Sequence, residues 1–367
     1  MKNAAVRFVT LFPECPNFGV AKDVGQIPYM LEKQNDNISA KLVSFAIDPN
    51  GDYLDQAPGL TIEACPNIRS NVLLSGLAYL IRNARKIDWL NLYHARMRTC
   101  IWIAIYKLLN PKGKVYVKMD AGFVSCNAYD TDPKKRKIFT RVTEMADLVT
   151  VESTAALERL SKYAKCDLKL IPNGYCEAQP VDVTAPRQNT FITVSRLGTP
   201  EKATGVLLEA FAKTASQHDW DLELVGPVAP EFIPEKERFY QEHPELSKRV
   251  RFTGEIHNRD VLNDHYRCAK VFVLPSRWES FALVVPEAMS CGCKVIVSDQ
   301  VTPHREFTAD GRFGQAVPVD DVDAWAQALL EATREEYTPE LAQRIAAYAD
   351  EKYTWKNICA QLEKFLD

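Results

Sequence analysis

Short apolar blocks alternate with longer amphipathic stretches along the whole chain. Residues 6–11, 40–45, 89–93, 114–119, 148–151 and 168–171 are runs of four to six residues, mostly apolar or β-branched. Runs of that length and composition predict buried strands. Between several of them, 71–86, 96–109, 134–146 and 153–164 carry helical patterns. Strands alternating with helices imply a parallel sheet with crossover helices. A polar passage, Asn173 to Asn189, with Pro180 and Pro186, interrupts the alternation and reads as a linker. The pattern then restarts, with strands at 190–195, 221–225, 250–253, 270–274 and 294–298 and helices at 204–216, 259–268 and 283–291. The expectation is α/β architecture: two doubly wound, Rossmann-like domains, 1–178 and 187–350, facing a central cleft.

Size agrees, since 367 residues suit two domains of ordinary size. A hydrophobic share of 46% against 25% charged residues is that of a soluble globular protein. No apolar run is long enough to span a bilayer, and Met1 to Phe12, interrupted by Arg7, reads as a first strand and not a signal peptide. The ten cysteines are scattered, without a Cys-x-x-Cys pair or metal-ligand spacing, which predicts a reducing, cytoplasmic setting and no metal site. Charge is uneven. Lys and Arg outnumber Asp and Glu by 24 to 18 up to residue 178, and are outnumbered 21 to 30 beyond it. The first half is therefore expected to face something anionic.

The chemistry concentrates in Ser276 to Gly292. The block Val271 to Leu274 reads as a strand ended by Pro275, and the run after Pro286 as a helix closed by Cys291-Gly292. Glu279 then lies in the loop leaving a strand's carboxyl end, and Glu287 near the start of the next helix. Open α/β sheets bind ligands there. Each carboxylate can accept a pair of hydroxyl hydrogen bonds, while the helix start offers N–H groups to an anion. Hydroxyls at both ends with phosphate between them describe a nucleotide sugar. The plainer alternative is a solvated loop charge and a first-turn carboxylate favoured by the helix dipole.

The segment resembles the signature of the family-four retaining glycosyltransferases of GT-B fold: Glu, seven residues, Glu, set in Pro-Ser-x-x-Glu-x-Phe-Gly-x-x-x-x-Glu-Ala. Pro275, Ser276, Glu279, Phe281, Glu287 and Ala288 match in place, while Ala282 stands where glycine is usual. The resemblance implies that Glu279 holds hydroxyls of the donor sugar and Glu287 the ribose diol. Backbone N–H groups of Phe281, Ala282 and Leu283 would meet sugar or phosphate. Thr193 to Lys202 resembles the family's Arg-Leu…Glu-Lys element, whose cations, here Arg196 and Lys202, would grip the diphosphate, with Ala203 at a place often taken by Gly or Asn. Gly226 resembles a position bordering the base, and Gly19 the remnant of a glycine pair near the diphosphate. The final helix, 352–367, would pack back on the first domain.

His94 and Asp120 end two strands of the first half. His94 matches a histidine common in the family, and Asp120 stands where many members carry a histidine that bonds the donor sugar. A carboxylate there suits the orientation of an acceptor or sugar hydroxyl; helix capping is the alternative for Asp120. Lys134, Lys135, Arg136 and Lys137 form a positive cluster suited to an anionic membrane surface or an acceptor. No nucleic-acid-reading motif accompanies them. The resemblance implies a retaining, metal-independent transferase without a cofactor. It would move a sugar from a nucleoside diphosphate, UDP favoured, to a hydroxyl of a glycan or lipid-linked glycan. The setting would be bacterial surface polysaccharide synthesis, at the inner face of the cell membrane. A non-catalytic nucleotide-sugar sensor or partner subunit is the alternative.

Overall fold

The computed structural model describes residues 5–176 and 182–366. They form two compact units, the first made of residues 5–176 together with 353–366, the second of 182–352.

Among the described residues, the first unit carries seven parallel strands: β1 (Val6–Leu11), β2 (Ile38–Ser44), β3 (Thr61–Ala64), β4 (Trp89–Tyr93), β5 (Lys114–Lys118), β6 (Leu148–Val151) and β7 (Lys169–Leu170). Their order is β3-β2-β1-β4-β5-β6-β7, so the chain reverses direction across the sheet between β1 and β4. Period-two alternation distributes their side chains. Phe8, Trp89, Tyr116 and Leu148 enter one core, whereas Val9, Leu90, Val115, Val117 and Val149 enter the other. Both faces are buried, hence the continuous apolar runs.

One face is covered by the helices Val72–Asn83, Met97–Leu109 and Pro133–Met145. The other is covered by Asp23–Gln34 and by Trp355–Glu363, from the far end of the chain. That last helix begins anew after Pro339–Tyr353, with Thr354 as its cap accepting from the Asn357 N–H at 3.4 Å. It is pinned where the Trp89 indole donates to the Leu366 carbonyl at 2.8 Å.

Several local expectations change. Helix Asp23–Gln34 lacks a recognisable pattern because Gly25 and Pro28 lie inside it; Gly25 is required, since a Cβ would stand 2.5 Å from the Val20 backbone. Helices Phe123–Thr131 and Val322–Arg334 are further elements. Residues 173–176, expected in the linker, belong to the first unit, because Tyr175 bridges to Thr354 and Gly174 packs under the Trp355 ring. The remainder of the expected linker falls partly outside the described residues, at 177–181.

The second unit carries β8 (Gln188–Val194), β9 (Asp221–Val225), β10 (Val250–Gly254), β11 (Ala269–Leu274), β12 (Lys294–Ser298) and β13 (Gly314–Val317). They are parallel, in the order β10-β9-β8-β11-β12-β13, and reverse between β8 and β11. In both sheets the reversal opens a crevice at the carboxyl ends of the two central strands. No described helix is long and apolar enough to cross a membrane.

Leu362 is fully buried against the first sheet. Leu362→Ala should cost about 2–5 kcal/mol, read as faster amide hydrogen exchange in β1 and β4 with exchange in β11 and β12 unchanged.

Candidate functional site

Two loops meet at the reversal point of the second sheet. The loop leaving β8 is anchored by buried Leu197, whose N–H donates to the Pro227 carbonyl at 2.9 Å. It then makes a short 3-10 turn, Pro200–Lys202, and enters the helix Thr204–Thr214 through Ala203. The loop leaving β11 runs through Ser276, Arg277 and Trp278 to Glu279. Arg277 fastens the two together: its N–H donates to the Glu201 carbonyl at 2.8 Å, its Nη1 to the Pro200 carbonyl at 2.5 Å, and its Nε spans both Asp320 oxygens at 2.9 and 3.0 Å.

On this frame Lys202 Nζ donates to Glu279 Oε1, which also accepts from the Ser276 hydroxyl at 3.0 Å. Both side chains are mostly buried. The Glu279 backbone is held as firmly, its carbonyl accepting from the Thr302 N–H and hydroxyl at 3.2 and 2.8 Å. Glu279 Oε2 accepts nothing from the described residues.

The other predicted residues sort themselves around this pair. Arg196 is 69% exposed and its Nη2 lies 2.6 Å from Glu201 Oε1, so its charge is presented one residue away from Lys202 in sequence. Glu287, on the first turn of Val284–Ser290, accepts from Arg259 Nη1 at 2.6 Å. The Phe281 ring is buried edge-on against Phe307. The Ala282 and Leu283 N–H groups donate to no acceptor among the described residues. The Gly226 N–H is already given to the Gly254 carbonyl at 2.8 Å. Gly226 has φ +133°, and a Cβ would stand 1.9 Å from the Ser195 carbonyl, so this glycine lets two strand-end loops touch.

In the first unit, His94 follows β4 and Asp120 follows β5, at neighbouring strand ends. His94 has φ +61° and donates its N–H to the Lys118 carbonyl at 3.0 Å. Burial lowers its pKa, against a smaller raising effect of Asp120. Asp120 is exposed and does not cap the following helix, whose cap is Gly122. Gly19 spends its N–H on the Pro16 carbonyl at 2.9 Å, and a Cβ there would meet the Cys15 sulfur at 2.5 Å. Its amide is therefore committed to a turn and not to a ligand. Lys134, Lys135 and Lys137 are exposed on the first turns of their helix, which Asp132 caps through the Lys134 and Lys135 N–H groups at 2.8 and 3.3 Å. Arg136 turns inward over the Tyr163 ring at 5.3 Å.

Comparison with known proteins bears on this second-unit geometry. Residues 188–335 match the model of the glycosyl transferases, group 1. The chain is 28% identical over 204 residues to the phosphatidyl-myo-inositol mannosyltransferase of Mycolicibacterium smegmatis, covering 52% of this chain and 50% of that protein. The chain spans about half the length of the curated relatives it matches. In fold it is similar to the lipopolysaccharide outer core galactosyltransferase WaaB, with TM-score 0.74 at 15% identity over 98% of this chain and 99% of that one. It is also similar to Anabaena Alr3699/HepE in complex with UDP and glucose, with TM-score 0.69 at 17% identity over 98% and 99%. The fold class is GT-B, two Rossmann-like units.

Within the second unit both departures from the family motif adopt left-handed backbone: Ala203 at φ +47° and Ala282 at φ +67°. The positive φ that glycine would permit is thus retained with a methyl group added, at a cost of about 1–2 kcal/mol each. Sequence reasoning missed Arg259 and Thr302, and gave Ser276 only as a motif match without its bond to Glu279, because nothing in a linear pattern says which carboxylate a distant cation or hydroxyl will meet. It also missed a polar row in the first unit. Tyr93, Lys118, Glu152 and Asn173 stand at the carboxyl ends of β4, β5, β6 and β7, which are adjacent in the sheet. Glu152 is 2% exposed, accepts from Asn173 Nδ2 at 2.5 Å and lies 3.7 Å from Lys118 Nζ. Burial raises its pKa well above the ordinary carboxyl range. Part-buried Asp23 is likewise pushed up to about 6 by burial, with Lys118 opposing.

Replacing Ala282 by Gly should relieve the strained φ, less about 0.4–1 kcal/mol for the freer unfolded chain. The expected result is a stabilisation of about 0.5–1 kcal/mol in urea unfolding. For Asp23, the raised pKa means the folded state binds a proton that the unfolded chain has released between about pH 4 and pH 6. This carboxyl therefore subtracts from stability above that window and not below it. Asp23→Asn should stabilise the protein at pH 8 by about 1–3 kcal/mol, the gain vanishing below pH 4 in thermal or urea melts.

Proposed function

We propose that the protein is a retaining, metal-independent glycosyltransferase that moves a hexose-type sugar from a nucleoside diphosphate to a hydroxyl. The observation that carries the reading is the Lys202–Glu279 pair at the reversal point of the second sheet, with Glu279 Oε2 and the Ala282 and Leu283 N–H groups left for a ligand. Glu279 Oε2 suits a sugar hydroxyl, Glu287 the ribose diol, and Lys202 with Arg196 the diphosphate between them. UDP is the favoured carrier, and the similar fold of HepE, in complex with UDP and glucose, supports that choice.

In the reaction, the bond between the sugar C1 and the β-phosphate oxygen breaks and its electron pair stays on the phosphate. Lys202 and the amide dipoles stabilise that developing charge, the largest demand of the step. The acceptor hydroxyl bonds to C1 on the face the phosphate leaves, and its proton passes to a phosphate oxygen. No enzymic nucleophile is required. In the first unit, His94 and Asp120 are the groups assigned to orienting the acceptor hydroxyl.

The acceptor is a glycan or lipid-linked glycan. A mannosyltransferase named for phosphatidyl-myo-inositol among the relatives supports it. So does the placement of Lys134, Lys135 and Lys137 at the N-terminal end of their helix, where the macrodipole disfavours cations. An anionic leaflet would repay that cost at about 1 kcal/mol per basic residue.

Thermal shift with UDP-, GDP-, ADP- and dTDP-sugars should single out one base, since a ligand at a hundred times its Kd stabilises by about 2.7 kcal/mol. With that donor and a glycan acceptor, Glu279→Ala should lower kcat by about 10²–10³ while the nucleotide still binds. Retained turnover removes Glu279 from its role; wild-type binding with no turnover on any acceptor indicates a sensor.

A further inference from the structure

Arg259 opens the helix Arg259–Cys268, which follows β10. Asn258 caps that helix, its Oδ1 accepting from the Asp260 and Val261 N–H groups at 2.9 and 3.1 Å, so the backbone carrying Arg259 is fixed. A cation at a helix N-terminus opposes the macrodipole and needs another reason to be there. The reason lies 28 positions further along the chain: Arg259 Nη1 sits 2.6 Å from Glu287 Oε1. Glu287 is only 7% exposed, and burying a carboxylate without a matched donor would be costly. The pair thus joins the helix after β10 to the helix after β11.

The pair is also incomplete. Glu287 Oε2 accepts no hydrogen bond from the described residues. The hydroxyl of Tyr266, two turns along the same helix as Arg259, is fully buried, has no partner, and lies within the electrostatic reach of both Arg259 and Glu287. Arg259 retains 30% of its side chain in solvent, so its guanidinium borders the outside of the pair. A carboxylate turned by one fixed cation, with its second oxygen open, is built to receive a hydroxyl hydrogen and offers nothing to a carbon in its place.

We propose that Arg259 is the positioning residue of a ribose subsite, and that by holding Glu287 Oε1 it makes donor binding depend on a ribose hydroxyl at Oε2. This rests on the reading of Glu287 as the ribose-diol acceptor given above. The chemical class selected is a ribonucleoside diphosphate, in preference to its deoxy counterpart. The warrant is an asymmetry of hydrogen bonding. A site built to accept from a hydroxyl loses far more when that group is missing than an apolar site loses with a methylene.

The test is calorimetric titration of the full chain with UDP, GDP and ADP, each alongside its 2′-deoxy and 3′-deoxy forms. Wild type should bind one ribonucleotide at least tenfold more tightly than one of its deoxy forms. Arg259→Gln should weaken the ribonucleotide by about tenfold to a hundredfold and bring the ribo-to-deoxy ratio close to one. Arg259→Lys should recover part of both. In turnover, the loss should fall on the donor KM more than on kcat. Should Arg259→Gln fold poorly with Glu287 unpaired, the double variant Arg259→Gln, Glu287→Gln removes both charges and should show no discrimination. An unchanged ratio in any folded variant lacking Arg259 overturns the proposal while leaving the donor site standing. Wild type binding none of the nucleotides overturns the donor reading itself, and this proposal with it.

Discussion

A carboxylate taken out of water at a strand end must be met by a cation or by donors, and the second unit is organised by that requirement. Lys202 meets Glu279, and Arg259 meets Glu287. Each pair links two segments that the chain separates: the loop after β8 with the loop after β11, and the helix after β10 with the helix after β11. The pairs therefore close the carboxyl edge of the sheet around its reversal point. They also leave one oxygen of each carboxylate uncommitted. The same contacts that neutralise buried charge fix the direction of the remaining acceptors.

The backbone around these pairs is held in shapes that side chains resist. Ala203 and Ala282 occupy left-handed conformations at the entrances to the two loop–helix junctions, and Gly226 allows the neighbouring loop to touch Ser195. Such strain persists only where the surroundings over-determine it. Here the Arg277 clamp onto Pro200, Glu201 and Asp320 and the Thr302 bonds to Glu279 supply that determination.

The first unit shows a different electrostatic character. Its outer helix Pro133–Met145 carries exposed lysines, yet the carboxyl edge of its sheet gathers Asp23, Asp120 and Glu152 around Lys118. The basic surplus of the first half thus belongs to its surface and not to its strand ends, which refines the expectation drawn from net charge alone.

Most strands were legible because parallel strands buried on both faces must be short apolar runs, and Val115, Val117 and Val149 could not lie elsewhere; the edge strands β3 and β13, mostly not buried, were not. Lys202 was reached through the resemblance of Thr193 to Lys202, while the places of Glu279 and Glu287 were legible because strand-end loops and helix starts can be read from Pro275, Pro286 and Gly292. The helix Asp23–Gln34 was not, since Gly25 and Pro28 answer to packing and not to helical preference. Nor were the partners of the charges. Arg259 is one of several ions in a polar stretch, and only the folded chain brings it to Glu287. The linear order of residues determines which segments must be buried and where each segment ends, because burial and backbone geometry are local demands. Which cation meets which carboxylate, and which oxygen stays open, was decided by the tertiary structure, because Coulomb attraction and hydrogen bonding act across distances in space that sequence separation does not encode.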